Sequence, residues 1–167
     1  SFARIWDLAR RRNASLEGVL SWSFEFEDQP WFAGYRQLST NGVDLPVLNV
    51  FRMFAKMGEQ RLTATSSAQV PLDTILAKGV REQADVGTLA TRTADGRVAL
   101  LLWHYHDDDV PGPDAQLRIT LSGLDRAPPS ATLWRVDKEH ANAFTAWQAM
   151  GSPQSPDQDQ YAQLEAA

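Results

Sequence analysis

Cysteine is absent from the 167 residues, which removes both disulfide frameworks and thiolate metal sites. That absence is compatible with a reducing or an oxidising compartment. No apolar run is long enough to span a bilayer, so no membrane partner is expected. A basic excess is lacking too: 16 Lys and Arg stand against 21 Asp and Glu, a net charge of -5. No nucleic-acid partner is therefore expected. The sequence has no internal repeat, no low-complexity tract, no Walker loop, no dinucleotide fingerprint, no nucleophile elbow and no zincin helix. It also lacks an initiator Met and a signal-peptide core at its start. Phe2, Ile5 and Leu8 recur at helical spacing and Arg10, Arg11 and Arg12 follow, where cations suit a helix C-terminus. A chain that opens inside a helix reads as a fragment of a longer polypeptide.

What is present is ordinary globular composition, 43% hydrophobic and 22% charged, enough to bury a core. The aromatic content is less ordinary. Six tryptophans, Trp6, Trp22, Trp31, Trp103, Trp134 and Trp147, are spread along the chain. Most tryptophans fill cores, but an indole face also stacks on the C–H face of a pyranose ring.

Hydropathy patterning predicts a helix over 2–12 and a strand over 18–26, with Leu20, Trp22, Phe24 and Phe26 on one face. An irregular acidic loop follows over 27–43, with Asn41-Gly42 as a turn signal. Residues 45–57 read as the clearest helix: Asp44 as cap, Pro46 in the first turn, an apolar stripe of Val47, Val50, Phe51, Phe54 and Met57, and Gly58 as stop. Helix, strand, acidic loop and helix is the rhythm of a β/α barrel, whose functional groups sit at the C-terminal ends of strands. Beyond Gly58, strands are expected at 60–66, 85–93, 97–105, 115–122 and 131–137, with a type I′ turn at Asp95-Gly96 and a short helix at 71–80. Helices are expected again at 139–149 and 157–166. The expected fold is mixed: a (β/α)8 barrel fragment over 1–58, then a predominantly antiparallel β-sandwich with a helical tail over 59–167.

Three stretches carry groups that can do chemistry. The first is Trp22 to Asp28, where carboxylates beside an indole can accept hydrogen bonds from sugar hydroxyls; a solvated acidic loop explains the same residues. Glu25 and Glu27 do not make a catalytic pair on spacing. Alternate residues of a strand lie about 6.6–6.8 Å apart and point the same way. A retaining glycosidase needs two carboxyls about 5–5.5 Å apart on opposite sides of the scissile bond. The second stretch is Trp103-His104-Tyr105-His106-Asp107-Asp108-Asp109. His104 and His106 share a strand face and three Asp could favour a hard cation, but a strand running into a polar loop explains them as well, and no metal or cofactor is expected. The third, Asn13-Ala14-Ser15, fits the short N-glycosylation pattern.

Residues Leu20-Ser21-Trp22-Ser23-Phe24-Glu25-Phe26-Glu27-Asp28-Gln29-Pro30 resemble the last barrel strand of family 39 glycoside hydrolases of the β-xylosidase type, which runs Trp-Thr-Phe and then Phe-Glu-Glu. Gly42 to Phe54 is similar to the family's Gly-Ile-x-Lys-Pro…Ala-Phe stretch, and Ala146 to Gln154 resembles the tail of bacterial members. The resemblance implies a barrel followed by a β-sandwich. It implies that Trp22 lines a sugar subsite and that Glu27 and Asp28 stand where the family's Glu-Glu pair binds sugar hydroxyls. Two features depart from the pattern: the spacing from Trp22 is shorter, and the second acid is Asp. The family's acid/base lies in an Asn-Glu motif, and no Asn-Glu dipeptide occurs in this sequence. The chain is thus expected to supply sugar-binding residues but not the catalytic pair. Its expected partners are a xylo-oligosaccharide or other small glycoside and the upstream barrel of the same polypeptide. The competing expectation is a non-catalytic carbohydrate-binding β-sandwich; an iduronidase-like specificity is disfavoured, because acids at 27 and 28 would repel an iduronate carboxylate.

Overall fold

A computed structural model describes residues 2–20, 24–34, 37–124 and 126–167. The chain forms two compact units, Ser1–Val19 with Met57–Ala131 and Leu20–Lys56 with Thr132–Ala167. Both mix helix with antiparallel strand, and no closed barrel occurs among the described residues. No described helix is long and apolar enough to cross a membrane.

The first unit opens with α1 (Phe2–Arg11). Asn13 ends it in the left-handed region at φ 51°, with Ala14 N–H donating to Ala9 O at 2.8 Å and Asn13 N–H to Arg10 O at 3.2 Å. This is a Schellman cap, with the short polar Asn in the place glycine usually takes. The face that α1 buries is Ala3 and Arg4, while Ile5 and Trp6 remain largely exposed. After β3 (Gln60–Leu62) and α3 (Leu72–Lys78) come β4 (Asp85–Arg92) and β5 (Val98–Tyr105). The sheet order is β3-β4-β5, antiparallel throughout, with Asp85 opposite Tyr105 and Arg92 opposite Val98.

Gly87 faces Trp103 across this ladder, and a methyl group there would lie 2.2 Å from the indole. The missing side chain lets the ring fold onto the strand and donate from Nε1 to Asp85 Oδ2 at 2.7 Å. Asp85, only 2% exposed, also accepts from Val70 N–H at 2.7 Å. Arg4 Nε stands 3.6 Å from Asp85 Oδ2, and Arg4 also donates to Val70 O and lies 3.5 Å from Asp7, which Arg61 meets at 2.6 Å. A buried charge persists only when paired and hydrogen-bonded. Here the pairing ties α1 to the sheet.

The second unit begins with the hairpin β1 (Ser39–Thr40) and β2 (Val43–Asp44). Asn41 and Gly42 both have positive φ, 47° and 82°, which is the type I′ turn that Asn-Gly favours. Next come α2 (Pro46–Phe54), α4 (Ala143–Ala149) and α5 (Gln158–Ala166). Asn142 caps α4 by accepting from Thr145 N–H, and Asp157 with Gln160 forms a capping box on α5. Val43, Ala143 and Leu164 form the buried centre, with Trp31, Phe32, Trp147, Met150 and Tyr161 packed around it. Phe32 and Trp147 lie 4.9 Å apart between ring centroids, and Trp147 Nε1 donates to Pro153 O at 2.8 Å.

Several expectations need correction. The strand expected over 18–26 does not form at 18–20 or 24–26; Ser21, Trp22 and Ser23 lie outside the described residues. Leu20 is 96% exposed, and the described part has no ladder beside it, only Phe24 O accepting from Leu38 N–H at 2.8 Å and Ser39 N–H at 3.0 Å. Alternation makes a strand only where a neighbour covers one face and pairs the backbone. For the same reason the strands expected at 115–122 and 131–137 are absent: Leu117, Ile119, Leu121 and Trp134 stay about half exposed, in segments preceded by Pro111 and Pro113 and by Pro128 and Pro129. The expected strand at 60–66 stops at Leu62. The β4–β5 turn is not type I′. Asp95 is not among the positive-φ residues whereas Gly96 is, at 86°; with Gly96 N–H on Thr93 O and Thr93 N–H on Arg97 O, this is a type I turn with a bulge at glycine. Asp44 does not cap α2: Leu45 holds that position without a side-chain bond, and Asp44 pairs with Arg52.

Candidate functional site

The acidic segment is fixed at its first carboxylate and open at the next two. Glu25 is half-buried, and its Oε2 accepts from Ser39 Oγ at 2.5 Å and Gly42 N–H at 3.1 Å. Ser39 is 1% exposed, so this contact anchors the segment to the inner side of the β1–β2 hairpin. Glu25 points to the protein and is occupied there; Glu25 and Glu27 have different surroundings, which deepens the case against a catalytic pair.

Glu27 and Asp28 form an exposed turn two residues further on. Neither carboxylate has a hydrogen-bond partner among the described residues. Asp28 lies in the left-handed region at φ 55°. Asp enters that region more readily than Glu, because its short polar side chain can bond locally. The backbone thus supplies a physical reason for Asp where the resembling family has a second Glu. Trp22 lies outside the described residues.

Beyond the turn, Trp31 is half-buried, with Trp31 N–H donating to Gln154 Oε1 at 3.0 Å and its ring edge-on to Tyr161 at 6.1 Å. Phe32 N–H donates to Thr40 Oγ1 at 3.1 Å. These bonds hold the exit of the acidic turn as Glu25 holds its entry. Sequence reasoning did not single out Trp31, although a Trp just after an acid–Pro turn was visible as a signal.

The histidine segment does not assemble a metal site. β5 ends at Tyr105, so His106 leaves the strand that His104 occupies. His106 Nε2 lies 2.9 Å from Arg81 O as donor, and its Nδ1 accepts from Asp108 N–H at 3.0 Å. Asp107 accepts from Val80 N–H at 2.7 Å, a bond that holds its carboxyl below the usual range, with a further contribution from Tyr105. Burial and the Asp107 contact raise the Tyr105 phenol in turn. Tyr105, His106 and Asp107 are thus engaged in closing the strand end, and no group of three or more His, Asp or Glu suited to a metal occurs among the described residues.

A second feature of the unit that holds the acidic turn was not singled out from sequence. A cavity of about 490 Å³ is lined by Arg52 and Met53 of α2, by Lys56 just beyond that helix, and by Trp134, Arg135 and Val136. Its signal was the pair Trp134-Arg135 in a segment read only as a strand.

No solved structure matches the chain. The family model described as glycosyl hydrolases family 39 matches residues 12–167, nearly the whole sequence and all of the acidic turn. The chain belongs to glycosyl hydrolase family 39, a family of glycosidases.

Proposed function

We propose that the chain is part of a retaining glycosidase acting on terminal β-xylosides, as in xylan and xylo-oligosaccharide breakdown, and that it supplies sugar-binding side chains rather than the catalytic pair. The observation that carries this is the turn at Glu27 and Asp28: two exposed carboxylates without partners among the described residues, on a backbone pinned by Glu25 and Trp31. A carboxylate accepts hydrogen bonds only, so such a pair suits vicinal sugar hydroxyls, and bonds to a charged acceptor are the stronger kind. Trp22, just upstream, would offer the stacking face. A neutral xyloside fits better than a sugar acid, because the paired negative charge repels a carboxylate.

Retention requires a carboxylic acid to protonate the leaving oxygen and a carboxylate to attack from the other side, about 5–5.5 Å away. Glu25 accepts two bonds from the β1–β2 hairpin, and Glu27 and Asp28 are neighbours on one turn, so none of the three is placed for that pair. In this reading, residues 1–58 are the closing part of a (β/α)8 barrel, with α1 and α2 flanking the acidic turn in sequence.

The test is a binding and turnover comparison. The 167-residue chain is expected to bind xylobiose without releasing aryl alcohol from an aryl β-xyloside. Glu27→Gln with Asp28→Asn should weaken xylobiose binding about tenfold or more, the size expected from losing a charge-assisted hydrogen bond. Turnover by the chain would refute the absence of the pair, and unchanged affinity in the double variant would refute the binding role.

A further inference from the structure

The cavity lined by α2 and residues 134–136 has a character opposite to that of the acidic turn. We infer that it is a separate subsite for a carboxylate-bearing sugar, a uronide, distinct from the site of the neutral xyloside. Its volume of about 490 Å³ falls within the roughly 300–1,000 Å³ usual for small-molecule sites. Met53, Val136 and Trp134 give it apolar walls, and Trp134 is 52% exposed. Arg52, Lys56 and Arg135 give it three cations, in a chain whose net charge is -5.

The donors are only partly used. Arg52 gives Nη1 to Asp44 and to Asn49 Oδ1, and Arg135 gives Nε to Asp137. Each guanidinium has five N–H donors, so each keeps N–H groups without a partner among the described residues. Lys56 has no carboxylate partner among the described residues; its Nζ sits 4.6 Å from the centroid of the Trp134 ring. Two carboxylates thus face three cations, leaving one positive charge beside an indole. A planar carboxylate matches the guanidinium fork, an ammonium adds a point charge, and an indole face stacks on a sugar's C–H face.

The walls are preorganised. Asn49 Nδ2 donates to Ala141 O at 3.2 Å and fixes α2 to the turn after Asp137. That turn is closed by Asp137 N–H on His140 O at 3.0 Å and by Asn142 Nδ2 on Asp137 O at 2.9 Å. The choice of a sugar, rather than another carboxylate, rests on the glycosidase reading above; the charge and the indole stand without it.

The experiment titrates the full chain with methyl β-glucuronide, methyl β-glucoside and inorganic phosphate, following the Trp134 indole N–H by NMR. The glucuronide is expected to bind at least tenfold more tightly than the glucoside, and Lys56→Met should cut its affinity at least tenfold. Trp134→Ala should do the same, and Lys56→Met, at an exposed position, keeps the test valid if that variant does not fold. Equal binding of the two glycosides, or glucuronide binding unchanged by Lys56→Met, overturns the subsite. Phosphate competing as well as the glucuronide overturns the sugar assignment. Xylobiose binding, retained in Lys56→Met, separates this failure from failure of the acidic turn.

Discussion

Glu25 and Ser39 share a hydrogen bond of 2.5 Å that joins the acidic segment to the hairpin behind it. The same carboxylate oxygen takes Gly42 N–H, so one side chain fixes both a buried serine and a left-handed turn. Glu25→Ala should therefore cost about 1.5–3 kcal/mol, because it removes a charged acceptor and leaves the Ser39 hydroxyl buried without it. Glu27→Ala, on the open turn, should stay within about 0.5 kcal/mol. Urea unfolding followed by tryptophan fluorescence checks both, and equal effects would contradict the division between an anchoring and a binding acid.

A second prediction concerns the buried charges of the sheet unit. Arg4 and Asp85 are both nearly inaccessible, and removing one partner of such a pair strands the other. Arg4→Met should destabilise the unit by about 3–5 kcal/mol. A thermal midpoint unchanged within a degree would show that α1 is not held through this contact.

Gly87 provides a third, independent check. A methyl group 2.2 Å from the Trp103 ring forces the indole away from Asp85. Gly87→Ala should cost at least about 1–3 kcal/mol from overpacking, and should shift the Trp103 indole N–H resonance. Retention of that resonance with full stability would contradict the packing described.

The fourth prediction is a pH dependence. Burial pushes the Asp137 carboxyl up, but hydrogen bonds from His140, Glu139 N–H and Arg135 outweigh it and lower the pKa to about 2. A depressed folded value means that the stabilisation is present above the unfolded value of about 3.9 and is lost as pH falls through about 2. Carboxyl carbon shifts of Asp137 should titrate near 2, with the Glu139 amide following. A midpoint near 4 would contradict the bonds assigned to this turn.

Much of the secondary structure was legible because its signals are local. Arg10 and Arg11 at the end of α1, Pro46 at the start of α2, the Asn41-Gly42 turn and the paired runs of β4 and β5 are written in neighbouring residues. Leu20 and Leu117 to Leu121 misled because alternation specifies a face and not the neighbour that covers it. The acids at 25, 27 and 28 were visible, but their division of labour was not. Only the return of the chain at Ser39 and Gly42 makes Glu25 an anchor. The basic cavity was hidden more completely, since Lys56 and Trp134 meet although they stand 78 positions apart in the sequence.

The most direct test of the central claim is an NMR titration of the chain with xylobiose, run beside an assay on an aryl β-xyloside. Saturable shifts confined to the Trp22 indole and the Glu27 and Asp28 amides, with no aryl alcohol released, are the expected result. Release of the alcohol, or saturable binding that leaves residues 22, 27 and 28 unperturbed, would contradict it.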